Sequence, residues 1–203
     1  MGISRCYSRC ISKGLIWGKL MNLIEKILTR ESNPLSFLFE EVDTNSLETE
    51  ALKYNSAEEF VKSQGKQMYH GTNKEFVKFT KSGVGDLGRG HYLTPNIESA
   101  KSFAWGKSYN YGGKKIIIEV YPFVKKTLTL GNGEDGIHAQ KLYNKGNQLN
   151  QTGSNIEAFA KKRGYDSIYR HGSGTEELLV FNGKNIKTKT QLIEIWNSVH
   201  ESN

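Results

Sequence analysis

Three short clusters in this sequence carry residue types that can do chemistry together. The first is Tyr69-His70-Gly71-Thr72, where a strand-like run ends on an imidazole followed by a glycine. Glycine lets a ligand approach the backbone closely, and one N–H beside one C=O is what a flat amide needs. The second is Gly90-His91-Tyr92-Leu93-Thr94-Pro95, with Phe103 eleven residues beyond Tyr92. A strand residue and a residue late in the following helix can face one cleft, so these two rings can sandwich a planar heterocycle. The third is Glu176-Glu177-Leu178-Leu179-Val180-Phe181, a carboxylate starting an apolar strand after a glycine-rich loop. Strand alternation favours Glu177 over Glu176, since Glu177 stands two before Leu179 and four before Phe181. An imidazole, an aromatic sandwich and one carboxylate suit cleavage of a glycosidic bond through an oxocarbenium-like state. The carboxylate would hold a ribose hydroxyl and stabilise the developing positive charge.

Other templates fit poorly. No G-x-x-x-x-G-K-[ST] occurs, and the loop Gly83–Gly90 lacks the strand–helix frame of a dinucleotide-binding βαβ unit. His70, His91, His138, His171 and His200 stand in no metal-binding spacing. The only cysteines are Cys6 and Cys10, so neither a cysteine-rich zinc site nor a disulfide scaffold is expected, and no metal. A Ser-His-Asp arrangement stays open, but no nucleophile elbow is visible.

The elements that must position these clusters can be read from pattern. Ser56 with Glu58-Glu59 predicts a capped helix to about Ser63. Met68–His70 and Phe76–Phe79 read as short strands, and Thr94-Pro95 predicts a helix start running to about Trp105. Lys115–Tyr121 is the clearest strand, with Leu128–Leu130 after it. Residues 131–154, rich in Gly, Asn and Gln, read as an irregular excursion. Ile156–Arg163 reads as a helix stopped by Gly164, Tyr165–Tyr169 and Glu177–Phe181 as strands, and Gln191–Val199 as a last helix. Short strands with a few helices and no βαβ alternation predict an α+β domain with antiparallel sheets.

The chain has 203 residues, 36% hydrophobic and 11% aromatic, enough for one domain with a core. Its 3 Trp, 10 Tyr and 9 Phe exclude a disordered composition. No apolar run reaches the roughly 18 residues a membrane span requires. The net charge of +7 is uneven: +5 over residues 1–30, −7 over 31–60 and +9 over the remainder. A +9 portion attracts polyanions, although a lysine-rich solvated surface gives the same number.

Residues 1–55 are expected to form a helical and linker extension, and 56–203 the catalytic domain. The start has the basic residues of a signal peptide, but Lys13 and Lys19 break its apolar part and no cleavage site follows. Cys6 stands where a myristoylation signal wants Ser or Thr. Leu15, Leu20, Leu23, Ile24, Ile27 and Leu28 instead predict a short amphipathic helix. A translation start at Met21 stays open. With no secretion signal visible, the cytoplasm is the expected location.

Taken in order, HGT, GHYLTP with its later aromatic, and ELLVF after a loop resemble the ADP-ribosyltransferases of the H-Y-E group, shared by diphtheria-type toxins and poly-ADP-ribose polymerases. SAEEFVKSQGKQMYHGT and GYDSIYRHGSGTEELLVFNGKNIK are especially similar to the ADP-ribosyltransferase domains of phage polyvalent proteins. The resemblance covers about residues 56–190 and implies two small, roughly perpendicular antiparallel sheets around an NAD cleft. It implies that His70 anchors NAD through a ribose hydroxyl, that the Gly71 backbone holds the nicotinamide amide, and that Tyr92 and Phe103 stack on the ring. Glu177 matches the catalytic glutamate, with Thr72 and Ser99 completing the expected NAD-binding set. Two departures stand out. Ala100 occupies the place of a serine in the polymerase branch, and Thr175 lacks the acid that arginine-modifying members carry two positions before the glutamate.

The resemblance implies transfer of ADP-ribose from NAD, as co-substrate, to a macromolecular acceptor. Tyr169, Arg170, His171, Thr175 and Glu176 would form the acceptor loop, whose aromatic and cationic groups suit a nucleobase or an acidic protein. A toxin or phage–host conflict role, with an inhibitor or antitoxin partner, is the expected setting. Two other readings stand beside it: an NAD glycohydrolase, with water as acceptor, and a non-catalytic module binding NAD, ADP-ribosyl groups or nucleic acid. Singly, His70 reads as a structural histidine and Tyr92 and Phe103 as core rings. It is their order that favours the site.

Overall fold

The computed structural model describes residues 44–80, 83–148, 153–172 and 176–201. The amphipathic helix expected at 15–28 lies outside them, as do Cys6, Cys10 and Thr175. Helices α1 (Thr44–Ala51) and α2 (Ala57–Ser63) open the described chain, so part of the expected linker is helical. Ser56 caps α2 by accepting from the Glu59 N–H, as its pattern requires. Both helices pack against the last one, α6 (Lys189–His200), through Leu47, Ala51, Phe60, Val61 and Leu192. Thr188 and Gln191 close a full capping box at the start of α6.

The strands form two sheets. One has the order β1-β4-β8, with β1 Met68–Thr72, β4 Ile116–Pro122 and β8 Ile186–Thr188, all antiparallel. The other has the order β2-β3-β7-β6-β5, with β2 Gly83–Gly85, β3 Gly88–Leu93, β7 Glu177–Val180, β6 Ser167–Arg170 and β5 Thr127–Thr129. Its β5–β6 pair is parallel, an exception to the antiparallel pairing expected. Leu128, Ile168 and Leu179 lie in one core, Leu93, Val120 and Val180 in another.

Three expectations are corrected. Phe76–Phe79 is not a strand; Phe79 is buried and meets His70, Phe76 and His91 edge-on. Helix α3 spans Ile97–Tyr111, later than expected, because Asn96 and not Thr94 supplies the cap. Thr94 instead exchanges both backbone hydrogen bonds with Tyr69, which holds it in extended structure. Residues 133–148 are a helix, α4 (Gly133–Gln148), followed by α5 (Ser154–Lys162). Glycine and asparagine lower helix propensity, but Ala139 is buried and Leu142 and Tyr143 pack on the same core, and that packing overrides it.

Candidate active site

The two sheets share the core of Met68, Leu93, Val120 and Val180, and β1 meets the end of β3 through backbone hydrogen bonds at the Tyr69–Thr94 pair. Past it the strands part. Tyr92 pairs with Leu179 on its other side, and by strand alternation its carbonyl points across the gap towards β1. His70 Nδ1 lies 2.8 Å from that carbonyl. A carbonyl can only accept, so Nδ1 carries the proton and Nε2 is left as an acceptor. Burial, helped by the nearby charge of Lys107, pushes the His70 pKa down to about 4, so the ring is neutral near pH 7.

Gly71 follows on β1, and its N–H and C=O face the same edge as those of Tyr69, towards the gap. Its missing side chain faces elsewhere. A Cβ on Gly71 would stand 2.1 Å from the Ala100 carbonyl oxygen and 2.9 Å from the Ala104 N–H nitrogen. Glycine is therefore required by the contact of α3 with β1, a different reason from the ligand approach read from sequence. The same contact accounts for Ala100, which is fully buried against β1 where a serine was the alternative.

Phe103 lies one position from this packed stripe and is 43% exposed at the cleft. One turn on, Lys107 Nζ donates to the Gly71 carbonyl at 3.0 Å, and burial lowers its pKa. Sequence reading missed Lys107. Its signal was the four-residue spacing from Phe103, which puts both on one helix face. Tyr92 is less free than expected: its hydroxyl donates to the Gly88 carbonyl at 2.7 Å and accepts from the Leu87 N–H at 3.1 Å. A Cβ on Gly85 would meet that hydroxyl at 2.7 Å. The β2–β3 hairpin thus lies across the ring edge and fixes its orientation.

Glu177 opens β7 and is 6% exposed, whereas Glu176 is exposed and hydrogen-bonds Tyr169. Burial, the largest influence, raises the Glu177 pKa, Arg170 opposes it, and Asp86 adds to it. Arg170 faces Glu177 across the β6–β7 pair, and its guanidinium is engaged there with the Glu177 carboxylate. Asp166, accepting from the Lys125 and Lys126 N–H groups and the Ser167 hydroxyl, fastens the start of β6.

His70, Gly71, Thr72, Tyr92, Phe103 and Glu177 line one cavity of about 630 Å³, with Lys74, Lys78, Asp86 and Lys107 on its wall. Ser99 does not line it; its N–H is taken by the Asn96 cap. Tyr169 is half-buried with His171 exposed beside it. Among the described residues no group of His, Cys, Asp and Glu is placed to hold a metal, and no helix is long and apolar enough to cross a membrane.

Two small sheets of three and five strands, bridged at Tyr69–Thr94 and parting around a cleft, with six helices among the described residues, form the fold of an ADP-ribosyltransferase domain. A family model described as "ADP-Ribosyltransferase in polyvalent proteins" matches residues 62–192, and the chain belongs to that family. No curated protein and no solved structure matches it.

Proposed function

We propose that this chain transfers ADP-ribose from NAD to a macromolecular acceptor and releases nicotinamide. What supports the reading is that His70, Tyr92, Phe103 and Glu177 line a single cavity where β1 and β3 part. The Gly71 backbone would take the nicotinamide amide, with Tyr92 and Phe103 against the ring. Neutral His70 would accept from a ribose hydroxyl through Nε2. Glu177, as a carboxylate, would hold the neighbouring hydroxyl and stabilise the ribosyl cation as the bond to nicotinamide breaks. Thr72 lines the cavity, and Tyr169 on β6, His171 just after that strand and Glu176 just before β7 would face the acceptor.

The acceptor class we favour is nucleic acid, on the strength of the +9 charge over residues 61–203. Action in the cytoplasm as a phage–host conflict effector, held in check by an antitoxin-like partner, is the setting that the resemblance supports. The test is incubation with NAD labelled in its adenylate half and cell lysate, followed by separate protease and nuclease digestion. Label released by nuclease supports the reading. Label released by protease alone gives a protein acceptor, and free ADP-ribose as sole product gives a glycohydrolase. No consumption of NAD leaves a binding module.

A further inference from the structure

Arg170 ends β6 directly opposite Glu177, the first residue of β7. Its Nη2 donates to Glu177 Oε2 at 2.6 Å, and its Nη1 donates to the Tyr143 hydroxyl. The guanidinium carbon stands 5.2 Å from the Tyr143 ring centroid. Asp86, in the turn between β2 and β3, brings Oδ2 to 3.9 Å from Nη1. The Arg170 and Glu177 side chains are 18% and 8% exposed, and Arg170 Nε is buried with no hydrogen-bond partner. Such a pair is a poor way to gain stability. Desolvating two ions and leaving one N–H unmade offsets the Coulomb attraction, and an apolar pair would pack there more cheaply.

We propose that Arg170 is a positioning residue: seated on Tyr143, it holds Oε2 of Glu177 and leaves Oε1 to the reacting ribose. The proposal rests on the NAD-cleaving reading of this cleft. Its chemistry follows from the groups that face Glu177. Burial and the Asp86 carboxylate favour the neutral acid, which cannot stabilise a cation. Arg170 is the cation that opposes both, through its charge and its hydrogen bond. Tyr92, on β3, is kept protonated by burial and by the charge of Glu177 itself, so it adds no charge of its own. Tyr143 contributes through Arg170, because α4 supplies the ring and hydroxyl that set the guanidinium in place.

The experiment follows the Glu177 carboxyl by carbon NMR in the full chain as pH is varied, beside the pH profile of nicotinamide release. Arg170→Met should raise the Glu177 midpoint by roughly one pH unit or more, the acid limb of kcat moving with it. Arg170→Lys should return part of that shift, and Asp86→Asn should move the midpoint the other way. An unmoved midpoint in Arg170→Met, or activity lowered by one factor at every pH, overturns the proposal. Should that variant not fold, Tyr143→Phe must raise the midpoint by a smaller amount, and an unmoved midpoint there overturns it equally. A shifted midpoint in a protein that releases no nicotinamide at any pH supports the clamp and overturns the NAD reading.

Discussion

His70 donates from Nδ1 to the Tyr92 carbonyl at 2.8 Å, across the gap where β1 and β3 separate. This one bond satisfies a carbonyl that the parting of the strands would otherwise leave open, and it places the proton on Nδ1 of a ring that burial keeps neutral. Protonation of His70 is disfavoured in the native state, where its pKa is about 4 against an ordinary 6.5. The stability tied to this shift is fully present above pH 6.5 and is lost as pH falls through the window from 6.5 to 4. At most it amounts to about 3 kcal/mol. Glu177 acts with the opposite sign, since a carboxyl raised in the native state loses its contribution as pH rises. The check is the difference between wild type and His70→Asn in denaturant midpoint across pH 4–7, which should shrink as pH falls.

Glu177→Gln should abolish nicotinamide release while leaving NAD binding within several-fold. Gln keeps the shape and removes the charge, an electrostatic contribution of roughly 3–4 kcal/mol to the transition state. Glu176→Gln should change turnover far less, because its side chain is exposed and engaged with Tyr169. Single-turnover kinetics beside equilibrium NAD titration separate the two effects. The reverse ranking would show that the carboxylate facing the sugar is Glu176.

Gly71→Ala should damage stability and binding together. The new Cβ would have to displace the α3 backbone at Ala100 and Ala104, and with it Phe103 and Lys107 on the same helix. Overpacking of this kind costs about 1–3 kcal/mol. Thermal unfolding and NAD titration on one preparation check it. Weaker binding with unchanged unfolding would mean that the glycine serves the ligand and not the helix.

Much of this site was legible because its residues sit on short, strongly patterned elements. Alternation alone puts Glu177 on the face of Leu179, and β7 holds that register with β3 and β6, Glu177 buried and Glu176 exposed. Ser56 and Gly164 mark helix ends by local chemistry, and the structure puts a cap and a positive φ there. What pattern could not show depends on contacts distant in sequence. Helix α4 has weak intrinsic propensity and forms through packing, so its Tyr143, and hence the inward turn of Arg170, was invisible. Asn96 beat Thr94 for the α3 cap because Thr94 is committed to a strand pair 25 residues away. Lys107 was passed over as one lysine among many.

Tyr92 and Phe103 should behave differently although both line the cavity. Tyr92→Phe removes the acceptor of the Leu87 N–H and should cost about 1–3 kcal/mol of stability through the β2–β3 hairpin, with stacking intact. Tyr92→Ala should weaken NAD binding as well. Phe103→Tyr should be nearly silent in both measurements, since a ring face is kept and the added hydroxyl reaches solvent. A loss of activity in Phe103→Tyr equal to that of Tyr92→Ala would show that Phe103 is not a wall of the ligand site.

The acceptor is tested by salt. The cations that precede β6 are partly spent within the fold: Lys161 pairs with Glu157, and Arg163 with Asp135. Exposed Lys74 and Lys78 lie on the cavity wall, where a polyanion entering the cleft would pass them. NAD itself carries little net charge, so its hydrolysis without acceptor should change little between low and moderate salt. Transfer to nucleic acid should fall steeply over the same range, because each neutralised phosphate releases counterions, with a slope near 0.7 per contact for single strands. Lys74→Glu with Lys78→Glu should flatten that slope while leaving hydrolysis within a few-fold. Arg170→Ala should lower transfer and hydrolysis alike, because its partner is Glu177 and not the acceptor. A shallow salt response with label only in protease-sensitive material would assign a protein acceptor and make the basic surface incidental to the reaction.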